Sequence, residues 1–191
     1  MSELLEIIEL GHPILRQIAQ PILNVQDQEL QTLIDDLLLT VKQANGVGIA
    51  APQVARSCQL MIVASRPNPS YPTAPEMEPT AILNPRILSH STETAIGWEG
   101  CLSIPGMRGK VPRYQAIEVE YLDRAGTLQK IEMTDFVARI FQHEFDHLNG
   151  LVFLDRVETT QALVTEKEYQ KQLAALTGDV QLIYPHPNPS P

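Results

Sequence analysis

The stretch TDFVARIFQHEFDHLNG, Thr134–Gly150, decides how this chain is read. Thr134 and Asp135 are residue types that cap a helix start, and Asn149-Gly150 supplies residues that tolerate the left-handed turn closing one. Between them Ile140, Phe141 and Leu148 are apolar, so a helix to about Leu148 is expected to be substantially buried. Yet it carries His143, Glu144, Asp146 and His147, and buried polar groups need partners. Residues four apart on a helix share a face one turn apart, so both imidazoles can reach one metal ion. Glu144 is rotated off that axis and is left free to take a proton from a metal-activated water. The alternative, a charged turn on a surface helix, sits poorly with the apolar flanks.

Upstream of this helix the chain reads as strands. Gln59–Val63, Ala81–Leu88 and Ala116–Tyr121 are strand-like, and Tyr121 to Met133 predicts a hairpin turning at Arg124-Ala125-Gly126. Before them Leu30, Leu33, Ile34, Leu37, Leu38 and Val41 recur at three- and four-residue spacing, which predicts an amphipathic helix from about Asp27 to Ala44. Asn45-Gly46 closes it. A third helix is expected at roughly Gln161 to Leu176, with Glu166, Lys167, Glu168, Lys171 and Gln172 among its apolar positions. The proline-punctuated segment Gly11–Pro21 predicts an extended or turned arm, and Pro67, Pro69, Pro72, Pro75 and Pro79 predict an irregular surface loop. Strands followed by a helix laid across them predict an α+β fold. Its expected form is mixed or antiparallel β-sheets packed around a central helix carrying HExxH, with an N-terminal and a C-terminal helix. One catalytic domain is expected over residues 1–178, and the proline-rich 179–191 is expected to be a mobile tail.

Composition narrows the function classes. The 191 residues are 43% hydrophobic and 19% charged, values of a folded globular chain long enough for a real core. With 14 Lys+Arg against 23 Asp+Glu, the net charge of -9 argues against a broad nucleic-acid-binding face, so no DNA partner is expected. The longest apolar runs, such as Leu60–Ala64, are far too short to cross a bilayer, and no membrane partner is expected. MSELLEIIEL is acidic and reads as neither a secretory signal nor a transit peptide. Two cysteines, Cys58 and Cys101, cannot form a disulfide framework. A soluble, single-domain, cytosolic protein is the expectation.

Two histidines need a third ligand and an open position for water. Downstream of them stand His186, in the proline-rich tail, and Glu158, Glu166 and Glu168, in a solvated helical pattern. The upstream candidate is Cys101, in Glu99-Gly-Cys-Leu-Ser103, where Gly100 lets the backbone approach closely. Taken alone, Cys101 is as readily an inert buried residue, the reading given to Cys58. His12 and His90 read as structural or surface histidines, and Trp98 as packing.

Three segments then point to one family. Gly46-Val-Gly-Ile-Ala-Ala-Pro-Gln53, Glu99-Gly-Cys-Leu-Ser103 and Gln142-His-Glu-Phe-Asp-His147 resemble the signature motifs of the peptide deformylases, in order and at fitting separations. The similarity covers most of residues 5–175, including Asn84-Pro85 and Val111-Pro-Arg113. The resemblance implies removal of the formyl group from the N-formylmethionine of nascent bacterial polypeptides, with release of formate. It implies one divalent metal ion on Cys101, His143 and His147, usually Fe2+, with Zn2+, Ni2+ or Co2+ able to substitute. Glu144 would be the general base, and Gln53 and the backbone N–H of Leu102 would be the oxyanion donors. Gly48 would pair with the extended substrate as an added strand. Val47, Phe136 and Ile140 would line the methionine pocket, and Gly100 would flank the peptide. The C-terminal helix would contact the ribosome, although Lys167 and Lys171 are a thin basic signal. The chain departs from the pattern at Arg139, where some members carry an aliphatic residue. Arg113 is placed to pair with Glu99 or Asp146, unless it lies with Arg108 on the surface. Two other classes are weighed against the enzyme: a catalytically silent N-terminal-peptide-binding relative, and a zinc aminopeptidase or protease with a downstream ligand. Replacement of Cys101 by Ser separates them, since only the deformylase reading predicts loss of metal and activity.

Overall fold

Met61 and Val63 of the run Leu60-Met-Ile-Val63 face one helix while Leu60 and Ile62 face another, and all four side chains are fully buried. A strand covered on both faces reads as a continuous apolar run instead of an alternating one. That strand is β2 (Leu60–Val63) of the computed structural model, which describes residues 2–177. Around it run α1 (Gln28–Gln43), β1 (Gly48–Ala50), β3 (Thr80–His90), β4 (Thr94–Cys101) and β5 (Ile104–Tyr114). They are followed by β6 (Ala116–Leu122), β7 (Leu128–Thr134), α2 (Asp135–Leu148), β8 (Leu163–Thr165) and α3 (Glu166–Thr177). The strands form two antiparallel sheets, ordered β1-β2-β3-β6-β7 and β4-β5-β8. Helices and antiparallel sheets are thus mixed as the sequence predicts.

α1 begins at Asp27, whose carboxylate accepts hydrogen bonds from the N–H groups of Glu29 and Leu30. It lays Ile34, Leu37 and Val41 on the outer face of β1 and β2 and is closed by Asn45 in the left-handed region (φ 52°). On the opposite face of the same sheet lies α2, against β1, β2, β6 and β7, and it also touches β5 of the second sheet. Its Ala138, Ile140, Phe141 and Leu148 join Met61, Ile82 and Val119 in the core.

Several expectations need correction. The third helix starts at Glu166, not near Gln161. Thr160–Ala162 is a 3-10 turn, and Leu163-Val-Thr165 pairs with Met107–Gly109, since β-branched residues beside an open strand edge gain more from the ladder than from a helix. Thr134 makes no side-chain cap on α2; instead Asp135 enters the helix at φ 51° with its N–H donating to the Gln115 carbonyl at 2.7 Å. The long β4–β5 hairpin is absent from the sequence reading. Gly97, Gly100, Pro105, Gly106, Gly109 and Pro112 lie within it, and such residues mask a strand pattern. The N-terminal arm is as expected, with a 3-10 turn at Pro13–Arg16 whose first N–H groups include one that donates to His12 Nδ1. The expected tail, 179–191, lies outside the described residues. Among the described residues no helix is long and apolar enough to cross a membrane.

Candidate metal centre and substrate groove

β4 and α2 run past one another so that every second strand residue meets every fourth helix residue. Gly97 faces Arg139, Glu99 faces His143, and Cys101 faces His147. Two strand residues advance about 6.6 Å and four helix residues about 6.0 Å, so the two periods stay in step across three rungs. The register shift between Glu99 and Cys101 marks a bulge at the last rung, where the hairpin turns back through Leu102-Ser103.

The third rung, with His143 of the second, carries the metal donors. Cys101, His143 and His147 each offer a ligand atom, all within 4.8 Å of one another, and Cys101 Sγ is 3.2 Å from His147 Nε2. The Nδ1 of His143 stands 2.9 Å from Glu99 Oε2. With that nitrogen as donor to the carboxylate, the Nε2 lone pair faces the cysteine, as a histidine ligand requires. A thiolate and two imidazoles suit a soft or borderline divalent ion and leave a position for water. Two buried polar atoms here, Glu144 Oε2 and His147 Nδ1, have no hydrogen-bond partner among the described residues.

The second rung is a buried ion cluster. Glu99 is 3% exposed and accepts from Arg113 at 2.9 and 3.0 Å, from Arg139 at 2.9 Å and from His143. Arg113 reaches on to Asp146 at 2.6 Å, which also takes Arg156. Arg113 therefore pairs with both carboxylates that the sequence offered it. Arg139 is likewise not a pocket residue in the aliphatic sense: its guanidinium also donates to the carbonyls of Val111 and Ala95. Burial would raise the Glu99 carboxyl, but His143 and Arg113 outweigh it and hold it well below the usual carboxylate range. Burial likewise disfavours charge on His143, and Cys101 and Glu99 outweigh it and hold its pKa well above the ordinary value. His147 is pushed well down by burial and by the charge on His143. Glu144 is driven up to about 7 by burial, with His143 opposing.

Gln53 is fixed at both ends of its amide, contrary to its appearance as a solvated loop residue. Its carbonyl accepts the Ala50 N–H at 2.8 Å, which turns its NH2 toward Ser103 Oγ (3.2 Å) and Cys101 Sγ (3.4 Å). Ser103 is fully buried and is not singled out by the sequence; its place at the end of the second motif, Glu99–Ser103, is the only signal.

Gly48 is where β1 passes Glu144. A Cβ there would stand 2.5 Å from Glu144 Oε1, so only glycine leaves room for the carboxylate. The Ala64 N–H donates to the Val47 carbonyl, and by the alternation of an antiparallel ladder the peptide groups of Gly48 face the open edge of the sheet.

These parts surround one cavity of about 360 Å³. Val47, Gly48, Gln53, Gly100, Cys101, Leu102, Phe136, Ile140, His143 and Glu144 all line it, while His147 is fully buried beneath. The same wall includes Ser70, Tyr71, Arg108 and Glu166, none of which the sequence placed there. Glu166 in particular leaves the solvated helical pattern expected of it and pairs with Arg108. Gly100 is explained by the same arginine, since a Cβ would lie 2.6 Å from the Arg108 guanidinium carbon. Cys58 is a free thiol away from the cavity, Trp98 packs edge-on against Tyr169, and His90 stacks on Tyr114.

The chain is also similar to known proteins. The family model described as polypeptide deformylase matches residues 4–162. Peptide deformylase 2 of Nostoc sp. is 67% identical over 169 residues, covering 88% of this chain and 94% of that protein. The Met-Ala-Ser-bound crystal structure of class I type b peptide deformylase from Acinetobacter baumannii superposes with a TM-score of 0.80 at 46% identity, over 82% of this chain and all of that one. The peptide deformylase from Synechococcus elongatus in complex with actinonin gives 0.73 at 34% identity, over 95% and 90%.

Proposed function

The chain belongs to the polypeptide deformylase family, metal-dependent hydrolases that release formate from N-formylmethionyl polypeptides, and from this premise we propose which of its residues do the work. Cys101, His143 and His147 hold the ion, which we assign as Fe2+, with Zn2+, Ni2+ or Co2+ able to replace it. The ion supplies Lewis acidity, making a water nucleophilic near neutral pH and polarising the formyl oxygen. Glu144 accepts the proton of the attacking water at its unpartnered carboxylate oxygen and passes it to the departing amine nitrogen. The Gln53 NH2 group and the Leu102 N–H donate to the oxyanion that forms on the formyl carbon. A preorganised donor of this kind is worth about 2.7–4 kcal/mol in the barrier.

The substrate enters as an extended strand on the open edge of β1, its backbone paired with Gly48 and flanked by Gly100. Val47, Phe136 and Ile140 receive the methionine side chain. We further read α2 as the central helix of the fold, since it touches strands of both sheets, and residues 1–178 as one catalytic domain. The expected setting is the bacterial cytoplasm. Contact with the ribosome through α3 rests on Lys167 and Lys171 alone.

The observation that carries the assignment of roles is the convergence of the three metal donors beside a buried carboxylate oxygen that has no partner among the described residues. The test is formate release from formyl-Met-Ala-Ser by anaerobically purified protein and by its Glu144→Ala variant. Turnover that collapses in the variant with metal still bound supports these roles. Absence of turnover from the metal-loaded unaltered chain would overturn them in favour of a silent peptide-binding relative.

A further inference from the structure

The family match ends at residue 162, yet α3, which begins at Glu166, supplies part of the groove wall. We propose that α3 braces the methionine side of the groove, with Glu166 and Tyr169 holding Arg108 and the loop Asn68–Tyr71 in place so that Tyr71 backs Phe136. The Arg108 side chain is 11% exposed and every arm of it is engaged. Its Nε donates to Glu166, its two terminal nitrogens donate to Tyr71 Oη and Ser70 Oγ, both at 2.8 Å, and the guanidinium lies 5.3 Å and 5.1 Å from the ring centroids of Tyr71 and Tyr169. Tyr169 Oη donates to the Ser70 carbonyl at 2.8 Å, a second tie from α3 to the same loop. Tyr71 then stands 4.9 Å from Phe136, ring centre to ring centre.

Three of the five Arg108 N–H groups are spent on Glu166, Tyr71 and Ser70, one from each nitrogen, and Glu166 is its carboxylate partner. Both act through Tyr71 and are positioning residues. A largely buried guanidinium stripped of its carboxylate draws in water or turns away, and the loop loses its anchor. The inference rests on the reading of Phe136 as a methionine-pocket residue. It predicts that an element outside the family-defining region sets affinity for the first side chain of the substrate while leaving the metal centre alone.

The test compares Glu166→Gln and Arg108→Lys with Glu168→Gln, a control on the exposed flank where Glu168 pairs with Lys171. In both brace variants KM for formyl-Met-Ala-Ser and Kd for the product Met-Ala-Ser are expected to rise about 3–10-fold, with kcat within about twofold of the parent. Preference for formyl-methionyl over formyl-norvalyl peptides is expected to narrow, with metal content unchanged. Should either variant fold poorly, Tyr169→Phe, which deletes one hydroxyl, is expected to move KM and preference the same way by less. Brace variants that match Glu168→Gln in KM, Kd and preference would overturn the proposal, as would a loss confined to kcat and metal content. No formate from the unaltered metal-loaded chain would count against the deformylase roles instead, and product-peptide affinity would still decide the brace.

Discussion

Gly97 and Arg139 divide one space between them: a Cβ on residue 97 would stand 2.8 Å from the Arg139 guanidinium carbon. The pair is the first rung of the ladder on which Glu99–His143 and Cys101–His147 are the next two, so the arginine that departs from the aliphatic pattern is matched by a glycine on the facing strand. Gly97→Ala alone is therefore expected to cost about 1–3 kcal/mol by overpacking. In an Arg139→Met background the same change should cost under about 0.5 kcal/mol, because the colliding group is gone. Urea unfolding of the two single variants and the double variant measures the coupling, and strict additivity would refute the shared-space argument.

Glu99 is the common acceptor for Arg113, Arg139 and His143, so its removal leaves two arginines facing each other across a buried site. Glu99→Gln is expected to destabilise the protein by about 3–5 kcal/mol, the range for breaking one partner out of a buried pair. The sign with pH follows from its lowered pKa. Stability from this carboxylate is fully present above the ordinary value of 4.5 and drains away as pH falls toward the folded value. The acid limb of a stability profile should be shallower in Glu99→Gln than in the parent; parallel limbs would show that Glu99 does not carry it.

His143, Glu144 and His147 are legible in the sequence because helix geometry alone fixes which of them share a face. α1, β2, β3 and the β6–β7 hairpin are legible for the same reason, a local period. What stays hidden depends on pairing across distance. The β4–β5 hairpin hides behind its glycines and prolines, yet two of those glycines, Gly97 and Gly100, are where Arg139 and Arg108 fill the space in front of the strand. Gln53 looks like a solvated loop residue until the fold brings Ala50 N–H and Ser103 Oγ to the two ends of its amide. Glu166 reads as one more charge on a solvated helix because its partner, Arg108, lies 58 residues away in sequence.

The two cysteines should separate by reactivity. Burial raises the Cys58 thiol to about 11, with Arg56 opposing, so at pH 8 only about one part in a thousand is thiolate. Cys101 lines the open cavity. In metal-free protein, iodoacetamide at pH 8 is expected to label Cys101 and leave Cys58 largely unmodified, as read by peptide mass spectrometry. Reloading with Ni2+ should protect Cys101. Labelling of Cys58 at an equal or faster rate would contradict its burial, and labelling of Cys101 unaffected by Ni2+ would remove it from the ligand set.

The assignment of Fe2+ carries its own consequence for handling. A ferrous ion held partly by a thiolate and open to solvent reacts with oxygen, and the ligating sulfur is oxidised along with it. Ni2+ in the same site has no comparable one-electron step with oxygen under these conditions. The Fe2+-loaded protein is expected to lose formate-releasing activity in air while the Ni2+-loaded protein keeps it, and the inactivated sample should show oxygen added at Cys101 but not at Cys58. Anaerobic samples of both should be stable, which separates oxidation from simple loss of metal. Equal decay of the two forms in air, or decay with Cys101 unmodified and metal released, would count against an oxidisable iron–thiolate centre.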